Sequence, residues 1–267
     1  MRFKLFILLA VSFVLSNKLH AQSQGNLEGS INLGLASFQT DYGERGDIRS
    51  SLTGNIGFAV GGSLYLNFFN KDPLYGSDPN WSQRHLKLKL EGSYLRANLE
   101  HFIDTDVRKY MKGRASVINF GGILEYHPFV IPDYIPEKER KTSPYLGIGV
   151  MGGYSMPTEK DSGLLQAYQP YTDKDGEAQI PVITDSFFTY SLVLSTGIRY
   201  KLDDASAIML DMRWQYFDSD YIDGLSPNPA LVKNIHNDWL YYLNVGYVIN
   251  FGSESRGTTW WFRKHRR

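Results

Sequence analysis

The side chains able to do chemistry in this chain fall into three groups. The first is histidine near aspartate: His101 lies close to Asp104 and Asp106, and His236 close to Asp238. A base beside a carboxylate is part of a hydrolytic site, which also needs a nucleophile or an activated water. His85 and His127 sit on other segments, and no residue pattern supplies the missing group. The chain therefore reads as a non-enzyme. The second group is two acid-and-glycine runs, Asp218-Ser-Asp220-Tyr-Ile-Asp223-Gly224 and Asp173-Lys-Asp175-Gly-Glu177. Calcium takes oxygen ligands from flexible loops of this kind. Neither run has the twelve-residue, helix-flanked spacing of an EF-hand, and Asp and Gly are ordinary turn residues. No metal or cofactor is expected. Arg45-Gly46-Asp47 spells an adhesion tripeptide, but three residues match often by chance and Gly-Asp is good turn chemistry.

The third group is a set of charges of both signs: Glu28, Lys87, Lys89, Glu91, Glu125, Arg199, Asp211 and Arg213. Each occupies the polar side of a segment whose residues alternate with a period of two. Strand side chains point to opposite faces in turn, so such a segment has one apolar and one polar wall. The clearest case is Asp238 to Phe251. Trp239, Tyr241, Leu243, Val245, Tyr247, Ile249 and Phe251 share a side, opposed by Tyr242, Asn244, Gly246, Val248 and Asn250. Aromatics gather at both ends of that apolar side and aliphatics at its middle, as a bilayer with two interfaces demands.

Seven earlier segments repeat the pattern. Leu27, Ile31, Leu33 and Leu35 oppose Glu28, Ser30 and Asn32; Leu86, Leu88, Leu90 and Tyr94 oppose Lys87, Lys89, Glu91 and Ser93. Ile118, Phe120, Leu124 and Tyr126 oppose Asn119, Glu125 and His127. Comparable alternation runs through 56–68, 146–154, 188–200 and 208–216. The expected fold is all-β, a transmembrane antiparallel up-and-down β-barrel of eight strands. A soluble barrel with its apolar wall inside is the alternative, but eight strands enclose too little room for several large side chains each. Connectors near 39–51, 101–114, 156–184 and 218–236 lie at one end. Those near 69–83, 129–142 and Asp203-Asp204-Ala205 lie at the other. Short turns face the periplasm in such barrels, which puts the first set outside. Connector 69–83 is longer than that rule expects, and 156–184 is long enough to hold a further hairpin and raise the count to ten. On this reading the charges line the bore. They form either a polar conduit or, as the narrow lumen favours, a plug of paired ions.

The N-terminus carries the matching address. Arg2 and Lys4 precede the apolar run Leu5 to Leu15, and Ala21 closes a short polar stretch, the form of a cleavable secretory signal. The expected organisation is a signal peptide over 1–21, a barrel over 22–251 and a tail over 252–267. No other stretch approaches the roughly 18 to 20 continuous apolar residues of a membrane helix. The chain has no Cys, which excludes lipid anchoring through Cys and thiol chemistry. Of 28 basic residues, Arg2, Lys4 and Lys18 leave with the signal, so 25 face 28 acidic ones. That balance argues against nucleic acid as a partner. In the tail, Trp260, Trp261 and Phe262 precede Arg263 and Lys264, an order suited to an anionic membrane surface or a periplasmic partner.

Asn244-Val-Gly246-Tyr-Val-Ile249-Asn-Phe251 resembles the last-strand signal of bacterial outer-membrane proteins. The resemblance implies recognition by the barrel-assembly machinery through Asn244, Gly246, Ile249 and Phe251. That signal usually ends the chain, whereas sixteen residues follow here. More broadly, Thr40-Asp-Tyr-Gly-Glu-Arg-Gly-Asp47, Ser116-Val-Ile-Asn119, Leu124-Glu-Tyr-His-Pro-Phe129 and Ser143-Pro-Tyr-Leu146 resemble the small outer-membrane barrels of Bacteroidota. A weaker similarity is to barrel subunits of the type IX secretion apparatus. These likenesses imply residence in the outer membrane, with its lipid as partner, and bring no assigned activity. The expected role is structural or interactive, through outer loops and tail, with an envelope protein as the further partner. An accessory subunit of a type IX-like complex and a lipid- or peptide-acting hydrolase are the alternatives.

Overall fold

The computed structural model describes residues 27–40, 55–67, 81–100, 112–129, 141–159, 185–203, 205–225 and 237–251. Eight long strands carry the fold: β1 (Leu27–Gln39), β2 (Ile56–Asn67), β3 (Leu86–Glu100), β4 (Lys112–Tyr126), β5 (Thr142–Ser155), β7 (Phe187–Lys201), β8 (Ser206–Phe217) and β9 (Trp239–Asn250). A two-residue strand, β6 (Thr158–Glu159), continues the line of β5 and pairs with Gly113 and Arg114 of β4. Neighbours in the sheet run β3-β2-β1-β9-β8-β7-β5-β4, and β3 pairs with β4 to close the ring. Every pairing is antiparallel. The expected signal peptide (1–21), the residues from 252 onward and the interior of 156–184 from 160 onward lie outside the described residues. A five-residue helix, α1 (Trp81–His85), which the alternation pattern did not foretell, leads into β3.

The alternation sorts as the period of two requires. Leu33 is 62 % exposed and Val245 54 %, and they pair directly at mid-strand. Their neighbours Asn32 and Asn244 are each 1 % exposed. Outward stand Ile31, Leu35, Leu64, Ile148, Leu194 and Leu210, with their like on every strand. Such a continuous apolar exterior is unaffordable in water but is what a hydrocarbon layer solvates. This is therefore a transmembrane barrel of the outer-membrane type, its apolar wall turned to lipid.

Aromatic rings cluster at both rims of that wall. At the end carrying loop 218–225, Trp214 packs on Tyr216 and Trp239, and Trp239 on Tyr241, with centroids 5.9–6.2 Å apart. At the opposite end, Trp81 of α1 lies against Tyr126 at 5.7 Å. Interfacial rings of this kind fix the depth of a barrel in its bilayer. The turn between β7 and β8 is tight. Asp203 Oδ1 accepts hydrogen bonds from the Ala205 amide at 2.8 Å and the Ser206 hydroxyl at 2.9 Å. Those two donors hold its carboxyl below the usual carboxylate range.

Candidate functional site: the ionic lumen

Inward-facing positions of all eight strands converge on a bore filled in layers. The lowest layer, at the end of the Asp203 turn, is built on Glu28 of β1. Lys87 of β3 donates to its Oε1 at 2.8 Å, Asn67 of β2 to the same oxygen at 2.9 Å, and Arg199 of β7 to Oε2. Arg199 also faces Glu125 of β4 at 3.8 Å, and its guanidinium lies 4.5 Å from the centre of the Tyr65 ring. Half-way up, Lys89 donates to Glu91 at 2.8 Å and stands 3.7 Å from Asp211. Arg213 of β8 reaches across to Glu91 at 2.6 Å. Asp211 then accepts from the Tyr145 hydroxyl at 2.9 Å and from Asn244 at 3.1 Å.

All eight sequence-predicted lumen charges are buried, and the structure brings them together in these two layers. Glu28, Glu91, Glu125 and Asp211 offset Lys87, Lys89, Arg199 and Arg213, four against four. Removing an ion from water costs several kcal/mol, and only a close partner with further hydrogen bonds offsets it. Pairing across opposite walls supplies both for Glu28, Glu91 and Asp211, whereas Glu125 has longer contacts, 3.8 Å to Arg199 and 3.6 Å to His127. Such pairing also ties together strands that are not neighbours in the sheet, as Arg199 does with Glu28.

Above the ions lies an apolar cap that the sequence reading did not identify. Phe38, Leu95, Leu99, Val117, Phe217, Leu240 and Tyr242 form one buried cluster at the loop end. Ile222 and Leu225, from the loop after β8, drop into it and are almost wholly buried. The loop is held there by its own acids. Asp238 Oδ2 accepts from the Ile222 amide at 2.8 Å, and Asp223 Oδ1 from the Leu225 amide at 2.8 Å. Gly224 takes a left-handed φ of 86° to make the bend, which only glycine adopts freely. The acidic run at 218–224 thus spends Asp223 on backbone capping, and among the described residues no three acids or histidines gather as a metal cluster. The run at 173–177 lies outside the described residues.

His101 and His236 also lie outside the described residues. Of the histidines the structure describes, His85 Nδ1 lies 2.6 Å from the His127 carbonyl oxygen, and His127 has Nδ1 2.8 Å from Ser143 Oγ and Nε2 3.6 Å from Glu125. Serine, histidine and acid stand in hydrolytic order, yet 3.6 Å is too long for a hydrogen bond and Ser143 is 1 % exposed. The trio packs the barrel's base.

Of the four residues in the last-strand signal, Asn244 and Gly246 face inward and Ile249 and Phe251 outward. Gly246 leaves room for Asn32 and Met209, and the Phe251 ring lies over Gly29. Each thus has a place in the finished barrel. The tail residues Trp260, Trp261, Phe262, Arg263 and Lys264 lie outside the described residues.

Gly197 faces the bore where a Cβ would meet the Tyr145 hydroxyl and the Leu210 carbonyl oxygen. Gly197→Val should therefore push Tyr145 off Asp211. The expected loss is about 1–3 kcal/mol of stability, the usual cost of overpacking, read as a lower urea midpoint for the refolded barrel.

No family model and no curated relative matches this chain. Among solved structures it is similar to Neisserial surface protein A at 13 % identity, covering 84 % of this chain and 97 % of that one, with a TM-score of 0.44. OprG of Pseudomonas aeruginosa shares 11 % identity over 85 % and 97 %, with a TM-score of 0.41. Ail of Yersinia pestis, solved with the heparin analogue sucrose octasulfate, shares 12 % over 84 % and 99 %, with a TM-score of 0.39.

Proposed function

We propose that this protein is a closed outer-membrane barrel with a structural or interaction role, exerted through its outer loops and its tail. The observation that carries the reading is the filling of the lumen by buried side chains. Among the described residues a charge-balanced ionic plug fills the lower half and an apolar cluster the upper, which supports a bore without a continuous wet path. Function then belongs to what the barrel displays. Planar-bilayer recording of the purified protein should give no resolvable conductance steps, and regular steps would refute the closed reading.

Recognition by the barrel-assembly machinery through the last strand, and contact of the Trp260–Lys264 segment with membrane or envelope protein, belong to the same proposal. Deleting 253–267 should leave a heat-modifiable barrel in the outer membrane, with loss only of envelope proteins that co-purify with the intact chain. Failure of the truncated chain to insert would make the tail part of the fold. A stoichiometric secretion complex in a native-membrane pull-down would instead favour the accessory-subunit role.

A further inference from the structure

Among the described residues, charge interrupts the lipid-facing wall at one place. Among strand residues whose side chains are described, only Arg96 of β3 and Arg114 of β4 carry charge on the outward face. They are diagonal neighbours: Arg96 pairs with Ser116, and Asn98 with Arg114. Diagonal side chains across an antiparallel pair lie about 7–8 Å apart, within reach of a shared ligand for two long arms. Arg114 Nε donates to Asn98 Oδ1 at 3.3 Å, and among the described residues neither arginine has a carboxylate partner.

Height decides what these arginines meet. Arg96 lies ten residues up β3 from Leu86 at the lower rim. At about 3.4 Å per residue and a tilt of about 40°, that is roughly 26 Å of rise, the top of an apolar band about 25 Å tall. Arg114, twelve residues from Tyr126, stands slightly higher. Directly opposite Arg96 on β2 is Phe58, whose ring packs at 6.1 Å on Tyr94, the next outward residue below Arg96. Elsewhere this rim is aromatic, as at Trp214, Trp239 and Tyr241. On β3–β4 it is cationic above an aromatic wall.

We propose that Arg96 and Arg114 form a binding site for the phosphorylated headgroup of a membrane lipid in the loop-end leaflet, with Phe58 and Tyr94 against its acyl chain. Guanidinium groups match phosphate oxygens in a planar, two-pronged geometry, and a phosphate at the interface supplies a counter-charge that neither arginine has among the described residues. The site rests on the transmembrane reading of the barrel and adds a ligand class to it.

The test uses the purified full chain in neutral detergent. Its probes are a diphosphorylated disaccharide lipid A and the same lipid with both phosphates removed, with bound lipid read by native mass spectrometry. Wild type should hold the phosphorylated lipid at least about tenfold more tightly. R96Q/R114Q should lose that preference, and R96K/R114K should keep part of it, since charge remains but the fork is gone. Equal binding of the two lipids by wild type, or an undiminished preference in the Gln variant, overturns the site. Displacement of the lipid by equimolar inorganic phosphate overturns it as a lipid site. If the Gln variant does not give a heat-modifiable band, wild type and the Lys variant still decide. Failure of wild type to enter detergent micelles as a barrel would sink the transmembrane reading, a result distinguishable from insertion without phosphate discrimination.

Discussion

Replacing Arg213 by methionine should cost the folded barrel about 3–5 kcal/mol, the usual penalty for leaving a buried ion without its partner. Glu91 would keep only Lys89, which it already shares with Asp211. The companion variant separates loss of a partner from loss of the residue itself. Arg213→Met combined with Glu91→Leu leaves Lys89 facing Asp211 and restores equal numbers of each sign, so most of the penalty should disappear. Urea midpoints of the refolded protein in lipid vesicles measure both. A double variant no more stable than the single would mean that the ions do not act as a balanced set.

Leu33→Arg should cost about 2–4 kcal/mol, the price of a cation near the bilayer midplane on the outer face of a barrel. The sign is what discriminates. On a water-facing wall, exchanging a 62 % exposed leucine for arginine would be neutral or favourable. Arginine at Asn32, one residue away, tests the opposite wall, where the cost comes from overpacking the lumen rather than from lipid. Vesicle-refolding yield and urea midpoint report both. Wild-type stability in Leu33→Arg would remove the membrane from the interpretation.

Much of this architecture was legible because strand parity is a local property. Leu88 and Leu90 had to share a wall, and Lys87 and Lys89 the other, whatever strand came to lie beside them. The same parity, carried two steps beyond Tyr94, reaches Arg96, and carried back from Ile118 through Ser116 it reaches Arg114. The signal for the outward arginines was present but lay past the apolar run that marks each strand. Helix α1 was less legible, because five residues give no helical period to read. The inward turn of Ile222 and Leu225 left no mark either. An apolar pair in an acidic loop looks the same whether it covers a lumen or faces solvent.

What the order of residues determined alone is the two-walled ribbon: eight alternating runs, apolar on one side and charged or small on the other. Alternation needs nothing beyond the chain's own geometry, and the scarcity of room within eight strands then turns the bulky wall outward. Partnership among the charges was decided only by closure. Arg199 and Glu28 lie 171 positions apart and meet because β7 and β1 face each other across the bore. The apolar cap has the same origin, since Phe38, Leu95 and Phe217 become one cluster only when curvature points separate strands at a common axis. Register and closure are collective, and no single stretch of the chain carries them.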